Sequence, residues 1–317
     1  MTTALLTHPD CLNHITPPGH PEQVARLRHV LSALDGKALT RIDAPLAEDA
    51  DLRLAHPQAY IDRITAAAPE HDLAQLDSDT WMSPGSVAAA RRGAGGALSA
   101  VDMVLAGEAA NAFVATRPPG HHAETQTPMG FCLFGNAALA AKHALERHAL
   151  SRVAVVDFDV HHGNGTQDLL WSEARALFVS SHQMPLWPGT GAAEERGGHD
   201  NVLNLPLAPG TDGAAFRAAY AAQVLPALDA FAPELLIVSA GFDAHRDDPL
   251  AGLELQEADF VWVTEALCAL AARHCGGRLV SCLEGGYDLD ALARSAAAHV
   301  DALIAAGEYG ITSANIE

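Results

Sequence analysis

The chain has 317 residues, 49% of them hydrophobic, with 39 acidic against 19 basic side chains and a formal net charge of -20. That length and apolar content fit one large α/β domain or two small ones with a sizeable core. The acidity argues against direct binding of nucleic acid through phosphates and is compatible with cationic substrates such as lysine-rich peptides or polyamines, or with solubility alone.

No stretch approaches the roughly 20 charge-free apolar residues of a membrane span, so no membrane partner is expected. The opening segment MTTALLTHPD has no basic region or apolar signal-peptide core, which points to the cytoplasm. The cysteines Cys11, Cys132, Cys268, Cys275 and Cys282 form no CxxC pair, so neither a thiolate zinc site nor a disulfide framework is indicated.

In chain order, Ala4–Thr7 reads as a short strand. Gly19-His20-Pro21-Glu22 reads as a loop entering a helix, with Pro21 at the first helical position and Glu22 at its positive end. Val24, Leu27, Val30, Leu31 and Leu34 form that helix's apolar stripe, and Arg26 sits next to it, where a solvated surface side chain is the default. Leu52–Ala67 is a second helical patch, begun near Pro57. Asp77-Ser78-Asp79-Thr80 is an acidic loop. Ser83-Pro84 caps a long helix reaching about Ala106, whose small residues allow close packing. Ala112–Thr116 is a strand, stopped abruptly by Arg117-Pro118-Pro119-Gly120, which aims His121 and His122 from a loop. Thr125–Gly130 and Phe131-Cys132 precede a helix from about Asn136 to Leu150.

Then comes VAVVDFDVHHGNG, Val153–Gly165. Its β-branched opening reads as a buried parallel strand. At the carboxyl end, where open α/β sheets place their ligands, stand Asp157, Asp159, His161, His162 and Asn164. In an extended chain Asp157, Asp159 and His161 share a face, which calls for a cation between them. Leu177–Ser181 is the next strand, running into His182 and the loop Pro185–Gly191, where Trp187 serves as a lid anchor or a pocket wall. Asn201–Leu205 and Leu235–Ser239 read as strands around a helix near Ala214–Leu228. Asp243, just past the second of these strands, is the third candidate metal ligand. A helix spans about Gln256–His274. Leu279–Leu283 is the last strand and ends in Glu284-Gly285-Gly286-Tyr287, where the glycines let backbone approach a ligand closely. A closing helix, about Leu289–Ala306, leaves a short loose tail. The alternation of strands and helices predicts a single doubly wound α/β domain over residues 1–317 with a mostly parallel sheet.

Asp159, His161 and Asp243 would give three N/O ligands and an open position, the pattern of a catalytic rather than a structural zinc site. The set also suits Fe(II) or Co(II). With such an ion activating water, a histidine to carry the proton and a tyrosine to meet the oxyanion, the chemistry described is amide hydrolysis.

RPPGHHAE, GFCLFGNA, VDFDVHHGNGTQD, PGTG, SAGFDAHRDDPL and LEGGYD, spread from about His20 to Tyr287, resemble the zinc-dependent histone deacetylases and their bacterial relatives, including acetylpolyamine amidohydrolases. The wording is nearest the class II branch. The resemblance implies the arginase/deacetylase fold, with an eight-stranded parallel sheet flanked by helices. It implies Asp159, His161 and Asp243 as zinc ligands, His122 as general base and acid, and His121, paired with Asp157, as its electrostatic partner. Tyr287 matches the tyrosine that polarises the carbonyl, and Gly285 lies in the same substrate-facing motif. Phe131 and Trp187 match the aromatic walls of an acyl-lysine tunnel and Gly130 its backbone contact. Asp157, Asp159, His161, Ser180 and Ser181 match a structural potassium site. Asp79 falls near a rim residue that holds the substrate backbone, and Arg26 near an arginine linked to acetate exit.

Asn164 stands where some relatives carry an aspartate beside the second histidine. Leu250 stands where a polyamine-selective relative carries a glutamate, which favours acyl-lysine over acetylated small amines. A binuclear manganese ureohydrolase would need an aspartate in place of Gly163, and a dead binding module would have lost a ligand or Tyr287. A homo-oligomer stays compatible with all of this.

Overall fold

The computed structural model describes residues 2–312, with side chains through 308. In chain order the elements begin β1 (Thr3–Thr7), α1 (Val24–Ala33), β2 (Leu39–Asp43), α2 (Asp49–Leu52), α3 (Gln58–Ala66), β3 (Ala74–Gln75), β4 (Trp81–Met82), α4 (Ser86–Ala106), β5 (Asn111–Val114) and α5 (Asn136–Arg147). They continue β6 (Val153–Asp157), α6 (Asn164–Leu170), β7 (Ala176–Gln183), β8 (Val202–Leu207), α7 (Gly213–Ala219), α8 (Leu225–Phe231), β9 (Leu235–Ala240), α9 (Glu257–Cys275), β10 (Leu279–Leu283) and α10 (Leu289–Thr312).

Eight strands form one sheet in the order β2-β1-β5-β10-β9-β6-β7-β8, and every pairing in it is parallel. Helices α1, α9 and α10 bury one face together with Phe158, Phe242 and Phe260. Helices α4 and α5 bury the other, largely through alanines such as Ala97, Ala100, Ala137 and Ala141. Both faces of the sheet are therefore covered, which is why its strands are apolar runs rather than alternating ones.

The order places the site. The central strands β5, β10, β9 and β6 lie side by side, although they come from distant parts of the chain. Asp157 is in register with Ser239 of β9 and Ser180 of β7, and Leu283 is in register with Ala240. The segments leaving these strands carry His121 and His122, Glu284 to Tyr287, Asp243, and Asp157 to Asn164, so topology alone brings them to one edge.

Several expectations are corrected. Helix α1 begins at Val24 with Gln23 as its cap, so Pro21 is not its first residue. Glu22 does not sit at the helix's positive end. It is fully buried and accepts from Arg117 Nε at 2.5 Å and Arg26 Nη1 at 2.9 Å, with His14 Nε2 at 3.4 Å. Arg26 is not solvated either, because a buried carboxylate and two carbonyls neutralise and satisfy it. The helix expected over residues 214–228 is α7, a wider π turn over Tyr220–Val224, and α8. Pro226 has no N–H for the carbonyl four residues back, and the widened turn sits just before it. The closing helix runs past Ala306 to Thr312, and the rest of the expected tail lies outside the described residues. The edge strand β2 and the β3–β4 hairpin, whose tip is the acidic loop, were not foreseen.

Glu22→Ala would leave Arg26 and Arg117 buried without their carboxylate. It is expected to destabilise the protein by about 3–5 kcal/mol, read as a lower denaturation midpoint at unchanged slope.

Candidate functional site

The chain does not stay extended past β6. It turns, and short side-chain-to-backbone bonds hold each bend: Asp157 Oδ1 accepts the Asp159 N–H at 3.1 Å, and Asp159 Oδ1 accepts the His161 N–H at 2.9 Å. Asp159 and His161 thus converge by turning rather than by sharing a strand face, while the Asp157 side chain pairs with His121 instead. Asp159 Oδ1 and Asp243 Oδ2 lie 3.2 and 3.1 Å from His161 Nδ1, and the three ligand atoms fall within 4.8 Å of one another. Donor atoms bound tetrahedrally at 2.0–2.1 Å lie about 3.3 Å apart, so the spacing suits one small cation.

Backbone donors lock the carboxylates. Asp243 Oδ1 accepts the Val160 N–H at 2.9 Å, and Asp159 Oδ2 accepts the Gly285 N–H at 2.8 Å. A Cβ on Gly285 would meet Asp243 Oδ2 at 2.2 Å and Asp159 Oδ2 at 2.5 Å, and one on Gly241 would meet Asp159 Oδ2 at 2.0 Å. Two glycines therefore make room for the carboxylates. Gly285→Ala is expected to leave the fold intact and weaken divalent-metal affinity by at least about tenfold, measured by competition with a chelator.

The electrostatics call for a positive charge. Burial disfavours the charged form of Asp159, yet the positive His121 and His161 beside it hold its pKa well below the usual range. Burial and the Asp159 charge push Asp243 upward. Burial would lower His161, but its bonds to Asp159 and Asp243 outweigh that and raise it to about 10. Without a cation, a proton on His161 does the neutralising.

His121 Nδ1 lies 2.9 Å from Asp157 Oδ2. Against burial, the charges of Asp159 and Asp157 push its pKa well above the ordinary value. His122 Nδ1 lies 2.7 Å from Asn164 Oδ1. Burial, then the charges of His121 and His161, hold His122 well below the ordinary value. The adjacent rings, with centroids 3.9 Å apart, therefore carry opposite protonation preferences, one positive and one free to take up a proton.

Tyr287 is positioned from three sides. Its N–H donates to Asp248 Oδ2 at 2.7 Å, the Arg26 guanidinium lies 4.8 Å from its ring centroid, and the Phe131 ring is edge-on at 5.9 Å. Arg26 spends its donors on Glu22, Gly286 O and Glu284 O, so it clamps the Gly-Gly turn from behind the tyrosine. Burial raises the Tyr287 pKa well above 10 despite Arg26, so the hydroxyl keeps its proton.

A cavity of about 190 Å³ opens over these groups, lined by Asp79, His122, Gly130, Phe131, His161, Leu186, Trp187, Leu250 and Tyr287. Trp187 stands edge-on to His122 at 4.7 Å and is 41% exposed, so it forms both wall and rim. The structure thus brings Asp79, Gly130, Phe131, Trp187 and Leu250 to the cavity as the sequence suggested. Gly285 supports the carboxylates behind it instead. Ser180 and Ser181 lie beside Asp157 on β7: Ser180 Oγ is 3.0 Å from His182 Nδ1, and Ser181 Oγ donates to the Asp157 carbonyl at 3.4 Å.

Glu284 and Asp248 were missed. Glu284 Oε2 accepts the N–H groups of Gly120 and His121 at 2.7 and 3.2 Å, holding the histidine loop, and burial raises its pKa to about 7. Asp248 is likewise raised to about 7 by burial and Asp243. Glu284 follows a buried strand directly, the same feature that singled out Asp243. A second Asp-His-His group, Asp102, His143 and His148, lies between α4 and α5. Among the described residues His143 Nδ1 is buried without a partner, so a metal on Nε2 would bury an unmatched N–H, and the trio suits proton sharing better. All five cysteines are buried and unpaired.

The family profile described as "Histone deacetylase domain" matches residues 20–303. The chain is 44% identical to the "Histone deacetylase-like amidohydrolase" of Pseudomonas aeruginosa over 85% of this chain and 73% of that one. It is 35% identical to a "Probable deacetylase" of Archaeoglobus fulgidus over 92% and 82% of the two chains. The solved structure titled "Crystal Structure of HDA15 HD domain" superposes with a TM-score of 0.91 at 32% identity, covering 98% of this chain and 92% of that one.

Proposed function

As the chain belongs to the histone deacetylase family and is a hydrolytic deacetylase, we propose that it removes acetyl or other short acyl groups from lysine side chains of proteins or peptides, with one zinc ion held by Asp159, His161 and Asp243. A divalent ion there supplies Lewis acidity toward the acyl carbonyl and acidifies water; Fe(II) or Co(II) would serve the same donors.

The remaining steps belong to this chain's own side chains. His122, held neutral, takes the proton of the attacking water at Nε2 and later delivers it to the leaving amine. His121, kept positive by Asp157 and Asp159, lies beside the negative charge that develops. The Tyr287 hydroxyl donates to the oxyanion. Phe131, Trp187 and Gly130 line the path of the aliphatic chain, and Asp79 holds the substrate backbone at the rim. The turn after β6, with Ser180 and Ser181, is proposed to hold a structural potassium ion that stiffens the segment carrying Asp159 and His161. The proposal treats residues 1–317 as one catalytic domain working in the cytoplasm. No helix among the described residues is long and apolar enough to cross a membrane.

The observation that carries this reading is the convergence of His122, His161 and Tyr287 on one apolar-walled cavity. Leu250 favours acyl-lysine over acetylated polyamines. Asp79 is the single carboxylate side chain among the cavity's described lining residues, so a distal ammonium would find little to pair with deeper in. The test is turnover by metal-reconstituted enzyme of a panel of acyl-lysine peptides against acetylputrescine. Acetyl-lysine peptide is expected to give the higher kcat/KM, and a large preference for acetylputrescine would reverse the substrate assignment.

A further inference from the structure

Asn164 poses a problem that an aspartate would not. A carboxylate accepts from a histidine N–H whichever way it turns, whereas a primary amide offers a donor or an acceptor. If Asn164 turned its amino group to His122, the imidazole would have to accept at Nδ1 and carry its proton at Nε2, the atom facing the cavity, and could not act as a base. Something must decide the orientation of the amide.

The structure supplies a deciding group. Asn164 Nδ2 donates to Glu124 Oε1 at 2.9 Å and lies 3.3 Å from the Met129 sulfur, while Asn164 Oδ1 faces His122 Nδ1 at 2.7 Å. A carboxylate can only accept, so the whole chain of bonds has one consistent direction: Asn164 donates to Glu124, and His122 Nδ1–H donates to Asn164. Flipping the amide would set its oxygen against the carboxylate. Glu124 is itself anchored. Its N–H donates to Thr127 O at 3.0 Å, and the following Thr125 donates from N and Oγ1 to Asp168 Oδ2 at 2.7 and 2.6 Å. Asp168 lies on α6, the helix that Asn164 opens, so carboxylate and amide are tied to the same element.

We propose that Glu124 is a positioning residue that sets the tautomer of His122: by orienting the Asn164 amide it keeps the proton on Nδ1 and the lone pair on Nε2. The assignment rests on the reading of His122 as the proton carrier. Glu124 is neither among the cavity's described lining residues nor in the candidate metal-ligand set. It acts through Asn164, and the pair Glu124–Asn164 replaces what one aspartate would do.

The experiment has a structural arm and a kinetic arm. Nitrogen NMR of histidine-labelled, zinc-loaded protein should show His122 protonated at Nδ1 and not at Nε2. Glu124→Ala should move that signal toward the other tautomer at unchanged metal content. In turnover, Glu124→Ala should lower kcat about tenfold with little change in KM, because only the correctly protonated fraction reacts. The diagnostic readout is the sign of a second substitution. Asn164→Asp sets two carboxylates side by side in the wild-type background and should lower kcat. In the Glu124→Ala background the same change supplies an acceptor of fixed character and should raise it. A structural role alone would give losses in both backgrounds. An unchanged His122 signal in Glu124→Ala, or failure of Asn164→Asp to raise kcat there, overturns the inference. The NMR arm decides it even for a preparation with no turnover on lysine substrates, so its failure and the failure of the functional reading are separable.

Discussion

Asp243→Ala is expected to bind no divalent ion at the centre and to lose turnover by more than about 10³-fold. This follows from ligand number: two remaining donors cannot hold a catalytic ion in competition with water. Without a cation, burial and the Asp159 charge push Asp243 upward, while against its burial the bonds of both carboxylates raise His161. The same balance gives a pH dependence. His161 is raised to about 10, so the folded metal-free state binds more protons than the unfolded one from its ordinary pKa of 6.5 upward. The stability that this proton contributes is fully present below about pH 6.5 and is lost as pH rises toward 10. Glu284 and Asp248, both raised to about 7, act in the same direction at lower pH. Zinc replaces the proton, so loading should raise the melting temperature of the wild type increasingly with pH and leave Asp243→Ala unmoved. A metal-dependent rise in melting temperature in the variant would show that the ion sits elsewhere.

The sequence made the candidate metal centre legible because its parts follow a general rule: polar groups at the carboxyl ends of apolar, β-branched runs. Asp159, His161 and Asp243 each stand just past such a run, and Tyr287 follows a glycine pair, the first needed for close approach to the carboxylates and the second for its positive φ. What it hid were groups whose neighbours come from elsewhere in the chain. Glu22 looked like a helix-terminal charge, yet the residue that buries it, Arg117, is far away in sequence. Arg26 looked exposed because it falls beside an apolar stripe, and the turn it clamps is distant. Edge strand β2, LTRID, is only partly buried, so its composition resembles a loop. The β3–β4 hairpin pairs over two positions, Ala74 with Met82 and Gln75 with Trp81, too few to leave a periodicity. Asn164 was noticed as a departure, but its consequence depends on Glu124, a contact that no spacing announces.

Tyr287→Phe is expected to lower kcat by about 10²–10³ with KM and zinc content unchanged, the loss seen when one oxyanion donor is removed. The substitution isolates the hydroxyl, because everything that positions the residue acts on its backbone or ring. Asp248 holds the N–H, Arg26 faces the ring and Phe131 meets it edge-on, and all three survive the change. The metal centre survives as well: Asp159, His161 and Asp243 are held by the N–H groups of Gly285 and Val160 and by one another, not by the phenol. A fall confined to kcat would mean that the lost bond exists only once charge has developed on the acyl oxygen, whereas a rise in KM alone would mean that the hydroxyl merely binds substrate. The protonation state adds a check. Burial pushes this phenol above its ordinary value, so Tyr287→Phe should keep the wild-type alkaline limb at its lower rate, and loss of that limb in the variant would assign it to Tyr287. Near-normal turnover in the variant would remove the hydroxyl from the chemistry and leave the histidine pair and the metal as its only polar machinery.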